Sequence, residues 1–170
     1  VMLSHGNMMS NVEGTKQGIA FDRTEKFLSF LPLSHSFERM GGLFTAFSVG
    51  SQVYYAESIE TVPENLQEVK PSVVLSVPRL YEKMYSRVRE GLKSQPEARQ
   101  KMFWWAIDVG KQATEYRLNN QPLPFILGIK HKIADKLVYS KVKERVGGKL
   151  RFFVSGGAPL SQEIAEFFAC

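Results

Sequence analysis

Cysteine is nearly missing from this 170-residue chain, and its one thiol, Cys170, is the last residue. That excludes an internal disulfide and a cysteine-built metal site, and it fits a reducing, intracellular setting. Also missing are paired carboxylates, a nucleophile triad and any cluster with metal-ligand spacing. No apolar run approaches the roughly 20 residues that span a bilayer, and no signal peptide is visible. A cytoplasmic protein of about one domain is expected, since 44% of the residues are hydrophobic and 23% charged. The ends look cut. The chain opens in the apolar stretch Val1-Met2-Leu3, and the helical stripe of Ile164, Phe167 and Phe168 stops at Cys170 without a C-cap. The chain therefore reads as an excerpt, 1–170, of one domain truncated at both ends.

Strands and helices alternate along it. A helix is expected over residues 7–19, then a strand, Phe27-Leu28-Ser29-Phe30-Leu31, leading into Pro32. Over 36–49, Phe37, Met40, Leu43, Phe44 and Phe47 recur at helical spacing, and Gly50 sits where a left-handed C-cap is wanted. A strand over 52–56 follows. Thr61-Val62-Pro63-Glu64 has capping-box spacing and opens a short helix ending before Lys70-Pro71. Residues 72–77 form a continuous apolar run of the kind found in parallel sheets covered on both faces, and Pro78 suits the first turn of the next helix. The order predicts an α/β fold with a parallel sheet and right-handed crossovers.

Residues 79–145 hold 15 of the 22 basic residues and 7 of the 17 acidic ones, a net of +8, whereas the remainder sums to −3. Phe103-Trp104-Trp105 lies inside this helical stretch and Pro122-Leu123-Pro124 divides it. Two readings stand open. One is a solvated hairpin whose lysine stems cover apolar surface. The other is a dock for an anionic lipid surface or a polyphosphate, with Trp104 or Trp105 as an interfacial anchor. Nucleic acid is not expected, because no nucleic-acid-binding motif accompanies the charge. His131, in Lys130-His131-Lys132, reads as exposed.

The most informative segment comes last. The apolar run Leu150, Phe152, Phe153, Val154 breaks into Ser155-Gly156-Gly157-Ala158-Pro159, and a polar-capped apolar stretch begins at Ser161. This is a strand, a loop of small side chains and a helix. Such a loop lets a ligand approach the backbone at the carboxyl end of a strand, although ordinary strand-to-helix turns use glycine too.

Three stretches, taken in order, resemble the AMP-forming acyl-CoA synthetases of the adenylate-forming superfamily. Val1-Met2-Leu3-Ser4-His5-Gly6-Asn7 is similar to the segment after that family's phosphate loop. Leu31-Pro32-Leu33-Ser34-His35-Ser36-Phe37-Glu38-Arg39 is similar to its second core motif in the form of long-chain fatty-acid–CoA ligases. Arg151-Phe152-Phe153-Val154-Ser155-Gly156-Gly157-Ala158-Pro159-Leu160 is similar to the approach to the adenine pocket. Ser76-Val77-Pro78-Arg79-Leu80-Tyr81-Glu82 and Ala134-Asp135-Lys136-Leu137-Val138 add to it, and residues 78–146 are similar to a helical insertion of long-chain members.

The resemblance implies part of the large N-terminal domain of an enzyme that activates a fatty acid with ATP and passes the acyl group to coenzyme A, with Mg²⁺. It implies substrate contacts at His35, Ser36, Phe37 and Val77, and a nucleotide-binding loop at Gly156, Gly157, Ala158 and Pro159, where a Cβ branch would meet the ligand. His5 is given a structural role. The phosphate loop, the magnesium-coordinating glutamate, the ribose-binding aspartate and the catalytic lysine of the family would lie outside these residues. No catalytic residue and no activity are expected from the excerpt alone. Two rival readings remain: a non-enzymatic basic membrane-surface or lipid-binding module, and an adenylating enzyme for another carboxylic acid.

Overall fold

The apolar runs of the chain become one parallel sheet in the computed structural model, which describes residues 2–170. Its strands are β1 (Lys26–Ser29), β2 (Gln52–Tyr55), β3 (Val73–Ser76) and β4 (Phe152–Ser155), in the order β2-β1-β3-β4. Every pair is parallel, with Phe27 opposite Val53 and Val73, and Ser76 opposite Ser155. The α/β class read from the alternation of elements is the class observed. Successive side chains alternate faces. Phe27, Val73 and Leu75 pack with Ala46 on one side, and Leu28 and Val74 pack with Val62 and Leu66 on the other.

The chain divides into two units. The first comprises residues 2–76 with Glu144–Gly157 and contains the sheet, α1 (His5–Gly18), α2 (Thr45–Val49) and α3 (Val62–Val69). Ser4 and Asn7 form a reciprocal capping box at the start of α1. Gly50 closes α2 at φ 70°, the left-handed cap expected from its position. Where an α-helix was expected from Ser36 onward, Phe37–Phe44 is instead a π-helix that runs into α2. Thr45 gives both its N–H and its hydroxyl to the Met40 carbonyl five residues back, which widens the turn. The capping box expected at Thr61 does not form. The Thr61 backbone is already helical, and its hydroxyl is engaged with Ser58 and Asn65. Gly147, at φ +93°, meets the end of α3 so closely that a Cβ there would overlap the Leu66 carbonyl oxygen.

The strand entrances are tied by polar groups. The Ser72 hydroxyl accepts the Lys26 N–H at 2.9 Å, and the Ser72 carbonyl accepts from Arg151 N at 2.8 Å. Glu25 is buried just before β1, and the half-exposed Arg151 guanidinium, just before β4, pairs with its carboxylate.

The second unit comprises residues Val77–Lys143 and Ala158–Cys170. It contains α4 (Pro78–Lys93), α5 (Glu97–Leu118), α6 (Phe125–Ala134), a π-helical turn Asp135–Tyr139, the first residues of α7 (Ser140–Arg145), and α8 (Gln162–Ala169). Its core gathers Ala106, Val109, Leu127, Ala134, Val138 and Tyr139, and the Tyr139 hydroxyl donates to the Ala106 carbonyl. Trp105 packs against this core, so it is not available as an interfacial anchor. Ser161 caps α8, as expected, by accepting the Ile164 N–H. Tyr85 donates to Glu163 at 2.6 Å, and Lys111 pairs with Glu166 at 3.1 Å. His131 is not freely exposed. Its ring lies 5.5 Å from that of Tyr139 and its Nε2 is 3.3 Å from Arg117, and burial pulls its pKa down. No helix among the described residues is long and apolar enough to cross a membrane.

The Glu25–Arg151 pair gives a direct test. Arg151→Ala strands a buried carboxylate and should cost about 2 kcal/mol, less than for a fully buried pair because Arg151 is half in water. Denaturant unfolding of the Arg151→Ala protein checks this, and an unchanged midpoint would show the pair to be a surface ornament.

Candidate functional site

Because the four strands are parallel, their carboxyl ends lie along one edge of the sheet, where open α/β sheets bind ligands. Two segments of the first unit begin there. After β1, Phe30 to Ser34 lead through a turn closed by the His35 N–H on the Pro32 carbonyl at 2.9 Å. After β4, the Gly156 N–H bonds the Ser76 carbonyl at 3.1 Å, which aligns the glycine loop with the end of β3. The Phe37 ring then lies directly over Gly156, and a Cβ at that position would run into it. Sequence reasoning assigned the smallness of residue 156 to an incoming ligand. In the structure the chain's own aromatic already requires it. Gly157 stands at φ 81°, a left-handed conformation that glycine alone adopts without strain.

His35 and Ser36 line a cleft of about 470 Å³ between α1 and the π-helix. Its other walls are Ser34, Asn7, Asn11 and Arg39 on the polar side and Leu3, Met8 and Met40 on the apolar side. His35 Nδ1 accepts the Phe37 N–H at 3.2 Å, so the imidazole proton resides on Nε2 and that atom is a donor. Arg39 is braced by its Nε on the Leu33 carbonyl at 2.8 Å, which leaves the terminal nitrogens for other partners. One fixed cation, an imidazole N–H and two hydroxyls face thioether and leucine surface. Such a cleft suits an anionic head joined to an apolar body.

The site residues read from the sequence are thus only partly gathered. His35 and Ser36 share the cleft, whereas Phe37 does not line it and turns to Gly156. Val77 is half-buried and extended between β3 and α4, and Ala158 and Pro159 are exposed on the way to α8. All three belong to the second unit. Arg39 was legible only as a motif letter, yet it stands four residues after His35, the spacing that places two side chains on one helical face.

Glu38 is the residue the sequence reading passed over. It is 2% exposed, and its Oε2 has no hydrogen-bond partner among the described residues. Burial pushes its pKa up, against a lowering hydrogen bond from Ser29 at the end of β1. Gly42 leaves the room it needs, since a Cβ there would stand 2.6 Å from Oε1. No group of three or more histidine, cysteine, aspartate or glutamate side chains converges as a metal site among the described residues. Glu25 is paired with Arg151, and Glu38 is buried with no second carboxylate beside it, so the residues present do not fit a magnesium site. The Cys170 thiol is pushed up to about 11 by burial and is no nucleophile at neutral pH.

Comparison with known proteins decides what this edge of the sheet belongs to. The family of AMP-binding enzymes matches residues 1–170. The chain is a member of that family. A peroxisomal long-chain acyl-CoA synthetase of Arabidopsis thaliana is 33% identical over 168 residues, 98% of this chain and 22% of the relative. A human long-chain-fatty-acid–CoA ligase is 34% identical over 176 residues, 99% of this chain and 26% of the relative. The chain thus spans about a quarter of the length of these relatives. Among solved structures, the adenylation domain of a carboxylate reductase from Mycobacterium chelonae superposes with a TM-score of 0.63 at 24% identity. The match covers 95% of this chain and 21% of that one, and it supports the fold.

Two measurements follow from the geometry. Gly156→Ala should destabilise the protein by about 1–3 kcal/mol through overpacking on Phe37, and Phe37→Leu should relieve most of that cost. Additive effects of the two in a double-mutant cycle would place the ring elsewhere. For Glu38, a carboxyl whose folded pKa is raised stabilises fully below its unfolded pKa and loses that contribution as pH rises through the folded value. Glu38→Gln should therefore flatten the stability–pH curve above the unfolded carboxylate range and be at least as stable as the parent at neutral pH. Thermal melts across that range check it, and a parallel pair of curves would refute it.

Proposed function

We propose that the chain is part of the large N-terminal domain of an ATP-dependent long-chain fatty-acid–CoA ligase, with residues 78–146 as its helical insertion. The observation that carries this reading is the cleft of His35, Ser36 and Arg39 with its methionine and leucine wall, in a member of the AMP-binding family. The similarity to long-chain acyl-CoA synthetases over nearly the whole chain supports a fatty acid as the carboxylic acid.

In the first step a carboxylate oxygen attacks the α-phosphorus of ATP and pyrophosphate leaves. Two anions must meet, so the chain contributes a positive charge and donors. Arg39 offsets the carboxylate charge, and His35 Nε2–H donates to an acyl oxygen. Met8 and Met40 take the first methylenes. In the second step the thiol of coenzyme A attacks the acyl carbon and AMP departs. The task of the chain there is to hold the acyl group and keep water out. Gly157, Ala158 and Pro159 give a nucleotide ring close access to backbone. Mg²⁺, when bound, neutralises phosphate charge, and its ligands lie outside these residues. The segment accordingly has no activity of its own, and peripheral contact with an anionic lipid surface belongs to the same reading.

Fatty-acid-dependent exchange of pyrophosphate into ATP by the intact enzyme tests the proposal. His35→Ala should slow exchange on the order of 100-fold, as for loss of one preorganised donor, with little change in melting temperature. Losses of rate and stability in proportion would reduce His35 to a structural residue, and exchange driven equally by aryl or amino acids would refute the substrate class.

A further inference from the structure

Glu38 carries a carboxyl into the interior of the first unit with one oxygen, Oε2, unmatched among the described residues. The groups packed around it belong to that unit itself. A buried polar atom left without a partner costs about 1–3 kcal/mol, and an apolar side chain of the same length would avoid the cost. Stability therefore does not account for a carboxyl at this position, whereas its place in the fold does. The π-helix Phe37–Phe44 sets its glycines against the end of the sheet. A Cβ at Gly41 would stand 2.9 Å from Leu75 Cδ2, and one at Gly42 would stand 2.6 Å from Glu38 Oε1. Glu38 fills the space beneath the helix and accepts a hydrogen bond from Ser29, the last residue of β1 and itself buried. From the same turn, His35, Ser36 and Arg39 line the cleft. Apolar contact is non-directional and lets a helix slide over a sheet, whereas a hydrogen bond from a strand end fixes its register. The neighbouring fasteners act at other points: the Phe37 ring rests on Gly156, and Arg39 Nε bonds the Leu33 carbonyl.

We infer that Glu38 is a positioning residue. Through Ser29 it fixes the π-helix on the end of β1, and so sets where the His35 Nε2–H and the Arg39 guanidinium stand in the cleft. The inference rests on the reading of that cleft as the acid-activating site, and adds to it a residue that touches neither acid nor nucleotide. Donors of this kind lose their effect steeply when displaced, since a misplacement of about 1 Å costs on the order of 100-fold in rate. They are held within such limits by packed, hydrogen-bonded supports behind them. Glu38 is that support.

The test compares Glu38→Met, which keeps the length of the side chain and loses the acceptor, with Glu38→Gln, whose amide oxygen still accepts from Ser29. Pyrophosphate exchange by the intact enzyme is measured with fatty, aryl and amino acids, and melting temperature alongside. Glu38→Met should slow exchange on the order of 10- to 100-fold. The loss should fall in kcat with the KM for ATP unchanged. The melting temperature should stay close to the parent's, because the orphaned oxygen leaves with the carboxyl. Glu38→Gln should recover most of the rate. Ser29→Ala should reproduce the slow exchange, and combining it with Glu38→Met should slow it no further, since the two remove one shared interaction. The imidazole nitrogen resonances of His35 give a readout that needs no substrate. The Nε2–H tautomer should dominate in the parent and in Glu38→Gln, and Glu38→Met should show a mixture as the Phe37 N–H leaves Nδ1. Parental kcat in Glu38→Met, a loss that follows melting temperature and is not recovered by glutamine, or an unaltered His35 spectrum in that variant overturns the inference. Exchange by the parent driven equally by aryl or amino acids refutes the substrate class alone, and the inference stands where the Glu38→Met loss persists with those acids. If the parent exchanges with no acid, the enzymatic reading fails and the His35 spectra decide the inference.

Discussion

The arrangement of this chain depends on parallel pairing around β3. Val73, Val74, Leu75 and Ser76 are all buried, with β1 on one side and β4 on the other. Parallel strands cannot be joined by tight turns, so every connection crosses over and every strand ends at the same edge. That is why a segment near residue 35 and a segment near residue 156 meet. Phe37 over Gly156 is the side-chain expression of this meeting. Had β4 run antiparallel, its glycine loop would open at the opposite edge, and the His35 turn would have no neighbour.

Much of this was legible because the signals were local. Proline at residue 78, glycine at residue 50 and serine at residue 161 each mark a helix end through backbone geometry or a capping hydroxyl, and each does so here. The apolar run of residues 72–77 announced a strand covered on both faces. What stayed hidden involved partners distant in sequence or competing hydrogen bonds. The π-helix arises because Thr45 reaches the Met40 carbonyl with two donors, a choice invisible to a periodicity. Thr61 had the letters of a capping box but spent its hydroxyl on Ser58 and Asn65. Of the site residues, His35 and Ser36 came together as neighbours in a motif. The part played by Phe37 could be seen only once β4 was placed beside β3.

Two buried glutamates show how one residue type takes two physical roles in one unit. Glu25 has a guanidinium from Arg151, and its charge helps hold the starts of β1 and β4 on either side of β3. Glu38 has only a serine hydroxyl and one orphaned oxygen, so burial favours its neutral form. Sequence offers no way to separate them, since each precedes a basic residue, Lys26 in one case and Arg39 in the other. The difference is where the cation points. Arg39 turns back to the Leu33 carbonyl and into the cleft, away from its neighbour's carboxyl.

That division bears on the chemistry at the edge of the sheet. A charged Glu38 one residue from Arg39 and three from His35 would lower the positive potential of the cleft. Burial pushes its pKa up and so biases it toward the neutral form, which weakens that opposition to Arg39, and it still links the π-helix to the end of β1 through Ser29. The wide turn of that helix is what accommodates the carboxyl, with Gly42 supplying the missing side-chain volume. The π-helix, the glycine and the buried acid are therefore one device. It places beneath Arg39, and next to the turn that carries His35, a carboxyl that burial biases toward its neutral form.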